Sequence, residues 1–182
     1  MRRLVPGVSI CTLAGVLVGG CTGLYGGAPD PEPAPGLRNL SPINFANDVP
    51  LNTDPVSVDL DGGSVAFAGG TAGTRGILPL YFSDAFAWNL NGGPAEISFQ
   101  NLQIKAVRFY FAQQGDAGAT VVALNTDGEA VGSAESFPAA NLGDGNAVVE
   151  INAGESSITR LAFESPEGAI VSVDHLVLSV PE

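Results

Sequence analysis

The stretch Ala169-Ile-Val-Ser-Val-Asp-His-Leu-Val-Leu178 decides the fold. It is β-branched and apolar, with one acidic interruption at Asp174. Such a run, bounded by turn residues, reads as a strand. Its parity changes part-way. Val171 and Val173 fall on one face, and so do Leu176 and Leu178, but an odd step separates the two pairs. Two arrangements accommodate that step. Either the strand is buried on both faces, or a β-bulge at Asp174-His175 adds one residue and re-aims the side chains. In both, this is the last long strand of a sandwich, with earlier strands on either side.

Working outward, residues 106–112 alternate cleanly: Val107, Phe109 and Phe111 face one way, Arg108 and Tyr110 the other. Period-two alternation puts the first set in the core. Residues 119–124 and 130–134 flank Asn125-Thr-Asp-Gly-Glu129, in which Asp127-Gly128 is the strongest hairpin signal of the chain. Further strands are expected at 43–47, 56–60, 64–68, 95–99, 147–151 and 158–163. Asp61-Gly62-Gly63 joins two of them as a hairpin, and residues 89–94 are expected to turn. Residues 69–76 offer no core residue and read as a mobile loop, and residues 77–88 as two short strands around Ser83-Asp84. No window sustains the three-and-four apolar spacing of a long helix.

Composition supports this reading. The 182 residues are enough for one domain with a sizeable core. Twenty-four glycines, 45% hydrophobic and only 14% charged residues suit short strands joined by tight turns, and are too apolar for a disordered chain. The formal charge of −12 repels phosphate backbones, so nucleic acid is not an expected partner.

The N-terminus carries an address. Met1-Arg2-Arg3 is followed by an apolar run to Val18, broken by Pro6 and too short to span a bilayer. It ends in Val18-Gly19-Gly20-Cys21. This is similar to the bacterial lipoprotein signal (the lipobox), in which an aliphatic residue and two small ones precede a cysteine. The resemblance implies cleavage before Cys21, lipidation of its thiol, and attachment to a membrane of the bacterial envelope, with Thr22 favouring outward sorting. Residues 1–20 are then the signal peptide. Cleavage leaves 162 residues with 5 basic and 19 acidic side chains, a charge of −14. Cys11 departs and an acylated Cys21 cannot form a disulfide, so the fold rests on its core. Residues 21–36 form a tether whose alternating prolines favour polyproline II, and residues 37–182 the domain.

The domain has a resemblance of its own. It rests on Ile97-Ser-Phe99, Val107-Arg-Phe-Tyr-Phe111, Thr120-Val-Val-Ala-Leu-Asn-Thr-Asp-Gly-Glu-Ala-Val-Gly132, Ile158-Thr-Arg-Leu-Ala-Phe163 and Val171-Ser-Val-Asp-His-Leu-Val-Leu178. The series resembles the jelly-roll β-sandwich domains of secreted bacterial surface proteins, close to galactose-binding-like and carbohydrate-binding modules. That likeness implies an all-β, antiparallel jelly-roll sandwich. Some relatives hold a structural calcium with acids from the first and last strands. Asp174 matches at the end and Asp48 loosely near the start, while His175 replaces a second acid.

No catalytic motif stands out. His175 is the only histidine, Gly-x-Ser-x-Gly is absent, and no zinc ligand set exists. Acids at Asp59/Asp61, at Asp127/Glu129, and at Asp144 near Asn141 and Asn146 all sit at glycine turns, where turn chemistry alone accounts for them. If a sugar stacks on aromatics, Tyr81 and Trp88 are the first candidates, although their cluster also reads as filling one end of the core. The expectation is a non-enzymatic envelope lipoprotein acting in adhesion or surface structure. The alternatives are a carbohydrate-binding module, with or without calcium, and then a hydrolase. The expected partners are the membrane, through the lipid, and a glycan or another envelope protein.

Overall fold

The computed structural model describes residues 32–74, 86–116, 118–138 and 148–182. They are all-β, with no helix among the described residues. Thirteen strands run in order: β1 (Leu37–Asn39), β2 (Val56–Leu60), β3 (Gly63–Ala68), β4 (Gly70–Thr74), β5 (Phe86–Leu90), β6 (Gly93–Gln100), β7 (Ala106–Gln114), β8 (Thr120–Leu124), β9 (Ala130–Glu135), β10 (Phe137–Pro138), β11 (Val148–Asn152), β12 (Arg160–Ser165) and β13 (Ile170–Pro181). They form two sheets. One has six strands in the order β2-β3-β6-β12-β8-β9. The other has seven, β10-β7-β13-β5-β4, with β1 added beside β13 and β11 beside β7. From β6 onward the chain crosses repeatedly between the sheets, as a sandwich with non-local pairing requires. Pairing between the described strands is antiparallel except where β10 lies parallel to β7, and the isolated bridge between Leu51 and Ala72 is parallel too.

The closing stretch is the spine of the seven-stranded sheet. One edge of β13 pairs with β7 along most of its length. The other edge meets β5, then Ile43 through an isolated bridge at Leu176, then β1. Both readings of its parity step are realised: the strand is buried on both faces over residues 171–174, and a bulge forms. Asp174 opposes Tyr110 and Val177 opposes Arg108, so three steps on β13 match two on β7. His175 takes up the extra residue with φ 52°, a left-handed conformation that few side chains adopt. The Asp174 carboxylate accepts the His175 N–H at 2.7 Å and holds the corner.

The core lies between the sheets. Val107, Phe109 and Phe111 enter it from β7, as their alternation requires, with Val171, Val173, Leu176 and Leu178 from β13. Phe67 and Phe163 face them from the other sheet. Edge-to-face contacts run Phe45–Phe67–Trp88–Phe163–Phe111, with neighbouring centroids 5.5–5.6 Å apart. Such contacts each contribute about 0.5–1.5 kcal/mol beyond burial.

Three local expectations are corrected. Residues 43–47 do not form a strand. The Asn44 Oδ1 accepts the Ala46 N–H, and the Asp48 carboxylate accepts the Asn44 N–H, so the chain turns there. The expected loop at 69–76 contains β4, and its Ala72 is fully buried. Gly70 has to be small because the indole of Trp88 lies over it: a Cβ there would sit 2.6 Å from Trp88 Cε2. The expected turn at 89–94 is shorter, because β5 continues through Asn89 and Leu90.

Candidate functional site

The same registers that fill the core define the opposite face of the seven-stranded sheet. Because side chains paired across strands share a face, Arg108, Tyr110 and Ala112 of β7 lie with Ser172, Asp174 and Val177 of β13, away from the core. β11 adds Val148, Glu150 and Asn152 opposite Tyr110, Arg108 and Ala106. β1 adds Asn39 opposite Ser179, and β5 adds Asn89 opposite Ser172.

The middle of this face is polar yet buried: Tyr110 and Asp174 are each only 1% exposed, and Ser172 is fully covered. The Ser172 hydroxyl donates to Asn89 Oδ1 at 2.7 Å. The Arg108 guanidinium lies 5.8 Å from the centre of the Tyr110 ring, which stands 6.1 Å from the imidazole of His175. The bulge therefore turns His175 toward this face, onto an aromatic neighbour.

At one end the face opens into a groove. Arg108 and Val177 form its floor, Glu150 and Asn152 one side, and Asn39 and Ser179 the other. The Ser179 hydroxyl donates to Asn39 Oδ1 at 2.7 Å, which fixes that wall. Glu32, Pro33 and Ala34, the last residues of the proline-rich stretch, close the remaining side. Its enclosed volume is about 40 Å³, well below that of a small-molecule cleft, so it is a shallow groove and not a deep pocket.

The residues singled out in the sequence fall elsewhere. Trp88 is fully buried at the centre of the aromatic core, so its ring offers no face to a ligand. Tyr81 lies outside the described residues, as do Cys21, Asn141, Asp144 and Asn146. Asp48 is exposed beside Asp59, in a depression next to β2 of the other sheet, and its carboxylate serves its own turn. Asp174 is buried on the outer face of the seven-stranded sheet. Among the described residues no group of three or more His, Cys, Asp or Glu side chains could hold a metal ion. At the Asp127-Gly128 hairpin, Asn125 Oδ1 accepts the N–H groups of Asp127 and Glu129, which is turn chemistry.

The groove was not anticipated. Its signals were the polar parity of Arg108 and Tyr110 together with the bulge, which sets Asp174 beside them. The part played by Glu32 had no signal in the sequence.

No family model matches this chain, and no curated protein matches it. Among solved structures it is similar to family 29 carbohydrate-binding modules. One, from Piromyces equi, is 9% identical, with 79% of this chain and 91% of that chain covered and a TM-score of 0.41. Another family 29 module is 14% identical, with 79% and 88% covered and a TM-score of 0.40. A mutant module complexed with cellulohexaose is 13% identical, with 80% and 93% covered and a TM-score of 0.39. The likeness is loose.

Proposed function

We propose that this protein is a non-catalytic, lipid-anchored envelope protein whose sandwich binds carbohydrate in the groove between β1, β11 and the ends of β7 and β13. One observation carries the reading. Two amides, a hydroxyl, a carboxylate and a guanidinium (Asn39, Asn152, Ser179, Glu150 and Arg108) converge on one concave site. Sugar hydroxyls both donate and accept, and planar amides, carboxylates and guanidinium groups meet adjacent hydroxyls in pairs. The buried row of Tyr110 and Asp174 behind the groove fixes its floor.

A hydrolase reading is weaker on this geometry. The carboxylates at the groove, Glu32 and Glu150, are both exposed to solvent, whereas a glycosidase's acid relies on a sheltered carboxyl. The anchor rests on Val18-Gly19-Gly20-Cys21, with the proline-rich stretch lifting the domain off the membrane. Adhesion then follows from the anchor and the groove together, with a surface glycan as partner.

The test is a glycan array probed with the full chain in detergent micelles, beside Glu150→Ala and Asn152→Ala. Binding is expected for the parent chain. Each variant should lose about tenfold, the worth of one well-made polar contact, while remaining folded by circular dichroism. Absence of binding to any glycan, or variants as good as the parent, would overturn the reading.

A further inference from the structure

We infer that Glu32, contributed by the tether, sets the charge selectivity of the groove, so that it accepts uncharged sugars and rejects uronic-acid and other anionic glycans. This rests on the carbohydrate reading above and names the substrate class. The observation is the composition of the groove's walls: among its described lining residues one is a cation, Arg108, and two are carboxylates, Glu32 and Glu150. Glu150 stands directly across the strands from Arg108 in the β7–β11 register. Opposite charges in that relation attract one another, so Glu150 offsets Arg108 and the described lining carries one positive and two negative side chains. Glu32 is the second carboxylate, on the facing wall, where it is exposed and adds to a strongly acidic chain.

A carboxylated sugar entering the groove adds a third carboxylate to a lining that already holds two. At ordinary ionic strength the screening length is about 8–10 Å, too long to hide that repulsion inside the groove. A neutral sugar meets no such barrier and keeps all the polar contacts. The placement of Glu32 also explains why the tether's last residues lie against the sheet: they complete the wall that β1 leaves open. Arg38 does not offset this charge in the groove, because its guanidinium reaches away to Asp61 at 3.8 Å.

The experiment is calorimetric titration of the full chain in neutral-detergent micelles with two soluble probes, a neutral hexose oligomer and a uronate oligomer of equal length. Each is run at low and high salt, for the parent chain and for Glu32→Gln, Glu32→Arg and Glu32→Asp. The parent should prefer the neutral oligomer by about tenfold or more at low salt, with the ratio shrinking as salt rises. Glu32→Gln should narrow the ratio, Glu32→Arg should narrow it further or reverse it, and Glu32→Asp should keep it. A uronate bound as tightly as the neutral oligomer, or a ratio that no Glu32 variant moves, would overturn the inference while leaving carbohydrate binding intact. Binding of neither probe, nor of any glycan on the array, would remove the carbohydrate reading and this inference with it.

Discussion

The two faces of the seven-stranded sheet are built from the same strands and are both buried over much of their width, yet they bury different chemistry. The inner face of β7 and β13 carries Val107, Phe109, Phe111, Val171 and Val173, joined to the aromatic cluster around Trp88. The outer face carries Arg108, Tyr110, Ser172 and Asp174 at neighbouring positions of the same strands. Apolar burial stabilises in proportion to the area removed from water and tolerates many shapes. Polar burial stabilises little in net terms and penalises any loss of a partner. The inner face therefore holds the fold together, and the outer face positions particular side chains at particular places.

The largest expected effect lies on the inner side. Trp88→Ala should cost about 3–5 kcal/mol, because it empties the centre of the edge-to-face chain. Urea unfolding of the full chain in micelles would show it, and a loss below about 1 kcal/mol would mean that the aromatic cluster is not the keystone. Next comes Asp174→Ala. The His175 N–H loses its acceptor at the bulge, so unfolding should be easier by about 1–3 kcal/mol although no apolar contact is lost. A neutral result would erase the distinction between the faces. A finer probe is His175 itself, at φ 52°. His175→Val should cost about 1–2 kcal/mol because a β-branched side chain is disfavoured there, whereas His175→Gly should change stability by less than about 1 kcal/mol. Equal costs for the two would show that the imidazole's contact with Tyr110, and not the backbone, governs the site. The smallest effect on stability belongs to the groove rim. Glu150→Ala and Asn152→Ala should each cost about 0.5–1 kcal/mol by thermal melting, because both are exposed, yet the first removes the cross-strand neighbour of Arg108 and the second the acceptor of the Gly154 N–H.

The fold was legible because its dominant signal is alternation. Val107, Phe109 and Phe111, the Asp127-Gly128 hairpin and the odd step in the closing stretch are all local patterns, and each is realised. Where the reading failed, longer-range packing decided the matter. Residues 70–74 hold no large apolar side chain, so nothing in them announces a strand; the smallness of Gly70 makes sense only once Trp88 of the paired strand lies against it. Ile43 and Phe45 looked like strand residues, but the Asn44 and Asp48 side chains capture the backbone first.

The site was less legible than the fold for a related reason. An aromatic such as Trp88 signals burial and ligand stacking equally well, and only tertiary contacts separate the two; here the core claims it. The groove residues Asn39, Arg108, Glu150, Asn152 and Ser179 come from four separate strands. No spacing in a linear sequence brings them together. Pairing does so, by placing β11 on one side of β7 and β1 on the far side of β13.

The most direct measurement is amide chemical-shift mapping of the isotopically labelled full chain in micelles, titrated with a neutral hexose oligomer. The shifts should gather at Asn39, Arg108, Glu150, Asn152 and Ser179 and leave the hairpin of β2 and β3 unmoved. Shifts centred on the depression at Asp48 and Asp59, or none at any residue under saturating oligomer, would contradict the assignment of ligand binding to the outer face of the seven-stranded sheet.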